Sequence, residues 1–248
     1  MRNLRISLCI AGLAVAVAGC SVFSPQITKD KLLANIKKAV DPSSKLASVK
    51  SSIIIGEVNR GGKLKPGQMI IKIKYPNKWQ MLATVPSKGI FIRSYDGKNG
   101  WEFSTKSGYK QLTGAALDEL KLQTALAVNR GNLKSVLKSI EFAGESKVVG
   151  ESCYKLIARP KDIYKSEPLT LYVNKQTFLP FMRKEIYNCS QGKFEMSTVL
   201  SDYKRYDGVM IPMTRIIEFN QNLIDVTIQS IKFNGYIDDA DFVQPEQF

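Results

Sequence analysis

The chain contains no histidine. That absence removes the commonest general base, the Ser-His-Asp and Cys-His nucleophile pairs, and most zinc ligand sets. Cysteine is nearly as scarce, with four in 248 residues. The chain also lacks a Walker loop, a Gly-x-Gly-x-x-Gly turn and a Gly-x-Ser-x-Gly elbow. Phosphate cradles, dinucleotide turns and the hydrolase nucleophile therefore have no motif behind them. The one dense acidic cluster, Asp238, Asp239 and Asp241, has neither the glycine nor the distal glutamate of an EF-hand and reads as a solvated turn. The expectation is a protein that is not an enzyme and holds no metal and no cofactor.

Long apolar runs are also rare: only Ile6–Ala18 qualifies, and it is short for a membrane span. Arg2 and Arg5 precede it, and it ends in Val17-Ala18-Gly19-Cys20. A basic start, an apolar middle and small residues before a cysteine make a bacterial lipobox. Residues 1–19 are thus expected to be a lipoprotein signal peptide and 20–27 a lipidated tether. Acyl lipid (palmitate or similar) on Cys20 would anchor the chain to the membrane without spanning it. Ser21 is not acidic, which favours the outer membrane, facing the periplasm.

Of the remaining cysteines, Cys9 leaves with the signal, so Cys153 and Cys189 form an even pair in an oxidising compartment. A disulfide is the natural inference, worth roughly 3–4 kcal/mol in the chain-entropy model. Two buried thiols are the alternative, since a metal site lacks further ligands. The chain carries 36 Lys+Arg against 22 Asp+Glu, a net +14, which suits anionic partners such as lipid head groups. Nucleic acid is not an expected partner, because export removes the chain from it and no recognition motif occurs.

Thr28 is placed to cap a helix whose apolar residues Leu32, Leu33, Ile36, Ala39 and Val40 form one stripe, stopped by Asp41-Pro42. From Leu46 onward the period becomes that of strands. Met69, Ile71 and Ile73 share one face of their strand, and Trp79, Met81, Ala83 and Val85 share one face of the next. Gly114–Arg130 and Asn132–Ile140 interrupt with helical spacing; the second carries Leu133, Val136, Leu137 and Ile140 on one stripe. Strands then return to the C-terminus, separated by Gly150, Asn174-Lys175, Asp207-Gly208 and Asn220-Gln221-Asn222. The fold class expected is mainly β (α+β): a strongly curved antiparallel sheet of about eleven strands, an incomplete β-barrel whose concave face helices cover.

A single-layer sheet has only helices to cover its concave face, and any part left uncovered becomes an apolar cleft. The large, adaptable side chains Trp79, Met81, Trp101, Phe103, Phe194 and Met196, with Leu117, Leu120 and Leu133 on the expected helices, are the candidate lining.

Four stretches carry a family resemblance. Gly67-Gln68-Met69-Ile70-Ile71-Lys72-Ile73-Lys74-Tyr75-Pro76-Asn77-Lys78-Trp79 is followed by Asp96-Gly97-Lys98-Asn99-Gly100-Trp101-Glu102-Phe103. With Asp207-Gly208-Val209-Met210-Ile211-Pro212 and the closing Ile237-Asp238-Asp239-Ala240-Asp241-Phe242, they resemble the LolA/LolB-like superfamily of lipoprotein carriers. The resemblance implies one domain over 28–248 that holds acyl chains of lipids or lipoproteins under a helical lid. An anchor and a disulfide would set this chain apart from a diffusing shuttle, favouring a tethered acceptor or local transfer factor. The alternative is a structural or sensing lipoprotein that docks an envelope protein as its partner.

Overall fold

Half-buried strands with period-2 alternation need a layer to cover their apolar face, and here one sheet wraps around a helix. The computed structural model describes residues 27–59, 65–86, 88–189 and 192–244. The expected signal 1–19, Cys20 and all of the tether but residue 27 lie outside the described residues. Helix α1 (Lys29–Val40) opens the described chain, with the Thr28 hydroxyl accepting from Lys31 N at 3.3 Å. It stops at Asp41, whose carboxylate accepts from Lys45 N (2.8 Å) and Leu46 N (3.0 Å).

Six strands follow: β1 (Ser51–Asn59), β2 (Gly67–Lys74), β3 (Lys78–Val85), β4 (Gly89–Tyr95), β5 (Gly100–Ser104) and β6 (Gly108–Leu112). Helix α2 (Gly114–Val128) leads to β7 (Leu137–Val148), β8 (Glu151–Pro160), β9 (Leu169–Asn174) and β10 (Pro180–Cys189). Then come β11 (Gly192–Tyr206), β12 (Val209–Phe219) and β13 (Asn222–Phe233). All thirteen form one open sheet in the order β6-β5-β4-β3-β2-β1-β13-β12-β11-β10-β9-β8-β7. Each strand pairs with its sequence neighbour except where β1 meets β13, which joins the two meanders at the middle of the sheet. The mainly-β curved sheet is as expected, with thirteen strands rather than about eleven; short β6 had no alternation to mark it.

Two expectations fail. Asn132–Ile140 is not a helix: a single 3-10 turn, Leu133–Ser135, precedes β7, which pairs with β8 from Leu137 opposite Pro160. Spacing compatible with a helix is overridden by a free strand edge on β8 that needs backbone partners. Nor does the expected Cys153–Cys189 disulfide form, since both cysteines are free. Cys153 sits opposite Asn174, at the end of β9 that turns into the start of β10, whereas Cys189 is the last residue of β10. The length of β10, roughly 30 Å at ~3.3 Å per residue, lies between them, and a disulfide tolerates a Cα separation of only about 7 Å.

The register decides which face is inside. Tyr95 pairs with Gly100 and Arg93 with Glu102, so Trp101 and Phe103 point to the outer, convex face. There the C-terminal segment straps across β2–β5. Trp101 Nε1 and Ser94 Oγ both donate to the Phe242 carbonyl, at 2.9 and 3.0 Å. Lys72 pairs with Asp241 at 2.6 Å, and Asp239 takes both Lys74 (2.7 Å) and Lys78 (3.0 Å). The acidic cluster is thus a row of ion pairs on an outer face, with Phe242 fully buried beneath it.

Phe242→Ala should destabilise the protein by about 3–5 kcal/mol, as for a fully buried ring removed from a packed site, and denaturant unfolding measures it. Thiol titration of the unfolded, unreduced protein should find Cys153 and Cys189 both reactive.

Candidate functional site

Helix α2 is built from strong helix formers, and its sequence GAALDELKLQTALAV is apolar over most of its circumference. Such a helix is stable only when covered, and the concave face of the sheet covers it. Ala116 and the fully buried Leu120 pack on Tyr95 and Leu112, joined by Leu117 and Trp79. Farther along, Leu126 meets Leu137, Ala158 and Leu169. Ala127 and Val128 close on the central cluster that includes Ile54, Met69, Ile71, Ile73 and Met81. Helix α1 covers another stretch, with Leu32 against Tyr154, Leu156 and Val173. Gly100 marks how closely α2 sits on the sheet: a Cβ there would lie 2.8 Å from Leu117 Cδ1 and 3.0 Å from Leu120 Cδ2.

The sheet is bent far enough for opposite arms to touch across α2. Arg93 on β4 donates from Nη1 to the Tyr187 hydroxyl on β10, and from Nη2 to the Ala116 carbonyl of α2 at 3.1 Å. Six strands separate β4 from β10 in the sheet. Burial raises the Tyr187 phenol to about 12.

Around this clasp the interior is unexpectedly polar. Glu119 of α2 is 2% exposed and carries an Oε2 with no partner among the described residues. Burial, then the nearby Glu185, raise its carboxyl to about 7, against the opposing pull of Arg93 and Arg183. Glu185 is raised as well by burial, opposed by Arg183, whose Nη2 lies 2.8 Å from Glu185 Oε1. Burial lowers Arg215, and the like charge of Arg183 lowers it further. Arg130 is pushed down to about 10 by burial and then by Arg215. Arg93 Nε, Thr124 Oγ1 and Arg215 Nε are buried without hydrogen-bond partners among the described residues. Every one of these groups belongs to α2, to the segment just after it, or to an inward position of the sheet.

Beneath the end of α2, the space lined by Ile73, Ala127, Val128 and Arg130 is only about 10 Å³, room for one water. A depression of about 720 Å³ opens elsewhere, lined by residues including Lys184, Glu185, Lys193, Phe194, Met196 and Glu218. It arises because β9 stops pairing with β10 at Thr170 opposite Lys184, while β10 continues to Cys189 bound only to β11. The result is a notch between β9 and β10. On its inner side Phe194 and Tyr187 each meet Phe219 edge-on, with ring centroids 5.1 and 5.4 Å apart.

The expected lining residues therefore divide into groups. Trp79, Met81, Leu117 and Leu120 meet under α2; Phe194 and Met196 line the notch. Trp101 and Phe103 belong to the outer face, and Leu133 is 39% exposed, since the helix meant to carry it does not form. Arg93, Glu119, Arg183, Glu185 and Arg215 were missed. Their signal was present as charges that interrupt otherwise apolar stripes, such as Arg93 between Phe91 and Tyr95.

No family model and no curated protein matches the chain. Solved structures do match. A LolA superfamily protein from Nitrosomonas europaea superposes with a TM-score of 0.54 at 14% identity, over 88% of this chain and 98% of its own. The fold is LolA-like. A DUF1329 family protein from Desulfovibrio piger gives 0.54 at 16% identity, over 86% of this chain and 97% of its own. A domain from Vibrio parahaemolyticus described as an outer membrane lipoprotein-sorting protein gives 0.52 at 13% identity, over 86% and 94%. The chain thus spans its LolA-like counterparts nearly end to end, with α2 lying in the trough of the shared sheet.

Glu119 gives this interior a pH dependence with a definite sign. Its folded pKa of about 7 exceeds the ordinary 4.5. Between those values the folded protein keeps a proton that the unfolded chain has lost, so stability falls as pH rises and stays low above the folded pKa. The loss is about 3 kcal/mol at most. Glu119→Gln should flatten the profile and exceed the parent in stability at about pH 8; denaturant unfolding from about pH 5 to about pH 8 tests this.

Proposed function

We propose that this protein is a lipoprotein held to an envelope membrane, preferentially the outer one, by lipid on Cys20, and that it binds acyl chains of lipids or lipoproteins on its concave face. Its work would be lipoprotein sorting or local lipid transfer in the periplasm. The observation that carries the reading is the helix–sheet seam itself. An apolar helix lies on an apolar trough with little void beneath, and contact of that kind is non-directional. Hydrocarbon replaces it at similar free energy, so α2 acts as a lid that acyl chains displace. The unpartnered polar atoms in the same seam weaken the closed state, each costing about 1–3 kcal/mol. The notch beside Phe194 and Met196, open and rimmed largely by charged and polar side chains, offers an entry to the inner face.

The two tryptophans sit on opposite faces of the sheet, which makes a direct test available. Trp79 lies under α2 and Trp101 under the outer strap. With Trp101→Phe, a bromine-bearing acyl alcohol should quench the remaining Trp79 by more than half at saturation. With Trp79→Phe, the same probe should leave Trp101 emission nearly unchanged. Equal quenching of both, or none of either, would sink the acyl-binding reading.

A further inference from the structure

The inner face beside the notch holds more positive charge than its own acids neutralise. Register fixes the layout. Glu185, Met196 and Phe219 form one row across β10, β11 and β12; Arg183, Thr198 and Ile217 form the next; Leu200 and Arg215 lie one row beyond. The apolar floor at Met196 and Phe219 therefore runs directly into two arginines. Arg183 has Glu185 as its partner at 2.8 Å. Arg215 is half-buried, has an orphan Nε, and forms no salt bridge among the described residues. Its electrostatic neighbours are the like-charged Arg183 and Arg130 and the Tyr203 phenol. The phenol hydrogen is already donated to the Pro180 carbonyl, at 2.5 Å. Arg183 and Arg215, with Arg130 beside Arg215, outnumber the carboxylates that face them, Glu185 and Glu119, so the cluster at the end of the apolar path lacks an anion.

We infer that Arg183 and Arg215 form the seat of the anionic head group, phosphate or carboxylate, of a lipid whose acyl chain lies along Met196, Phe219 and the trough under α2. This rests on the acyl-binding reading and specifies its ligand class as anionic rather than neutral or cationic lipid. A guanidinium offers paired N–H donors to phosphate or carboxylate oxygens, and such charge-assisted bonds are about twice as strong as neutral ones. Binding would also give Arg215 Nε the acceptor it lacks and relieve its repulsion from Arg183. Specificity would follow from the same atoms, because a neutral head group leaves the arginine pair uncompensated inside the protein.

The test compares dodecyl phosphate, dodecanol and inorganic phosphate, each titrated calorimetrically against the parent, Arg215→Met and Arg215→Lys. Arg215 makes no salt bridge among the described residues, so both variants should fold; thermal unfolding verifies this. The parent should bind dodecyl phosphate at least about tenfold more tightly than dodecanol. Arg215→Met should lose that preference through weaker dodecyl phosphate binding, with no loss of dodecanol affinity, and Arg215→Lys should retain part of it. Equal parent affinity for the two dodecyl compounds, or a preference that survives in folded Arg215→Met, overturns the inference and leaves acyl binding standing. Failure of every dodecyl compound to bind overturns acyl binding itself. Inorganic phosphate binding as tightly as dodecyl phosphate overturns the lipid assignment in favour of a free-anion site.

Discussion

One arginine holds two arms of a long sheet against the helix between them. A guanidinium at 2% exposure must find acceptors, and Arg93 finds them on β10 and on α2 rather than on its own strand's neighbours. Satisfying that one group demands a sheet bent enough to bring strands with six others between them into contact. The same bend creates the trough, and the trough is what makes an apolar helix such as α2 tenable. Removing the clasp would leave a buried charge unpaired and the two arms free to splay.

The two faces of the sheet are held by different physics. On the outside, the strap over β2–β5 is directional: an indole, a hydroxyl and a row of lysines each meet a named acceptor. No other chemistry substitutes easily for such contacts. On the inside, α2 meets the sheet mostly through leucine, alanine, valine and methionine, contacts to which any hydrocarbon is equivalent. The polar groups inside are the exception, and they are incompletely matched. An interior that is replaceable where apolar and unfinished where charged suits a site that exchanges its own helix for a ligand.

Much of the local structure was legible. The Thr28 cap, the stripe of α1, the apolar breadth of α2 and the alternation of β2 and β3 all depend on neighbours within a few residues, and each reads correctly from the chain. Where the reading failed, the deciding partner was remote. Leu133, Val136, Leu137 and Ile140 satisfy helical spacing, yet the edge of β8 recruits that segment as a strand. Cys153 and Cys189 are a plausible pair by count and compartment, and only the register shows them a strand length apart.

Trp79 and Trp101 mark the boundary most clearly. Alternation along a strand says which side chains share a face, and the sequence alone settles that Trp101 travels with Phe103 and Trp79 with Met81. Which face is inside depends on pairing: Tyr95 opposite Gly100 turns Trp101 outward, and the C-terminal strap then buries it to 3% exposure. At β2–β5 both faces of the sheet are covered, so hydrophobicity cannot distinguish them there. The sequence by itself determined most of the elements and the supply of apolar side chains, because these follow from residues close together in the chain. Only the tertiary structure decided which aromatics face the trough and which arginines meet within it, because those depend on contacts between residues dozens of positions apart.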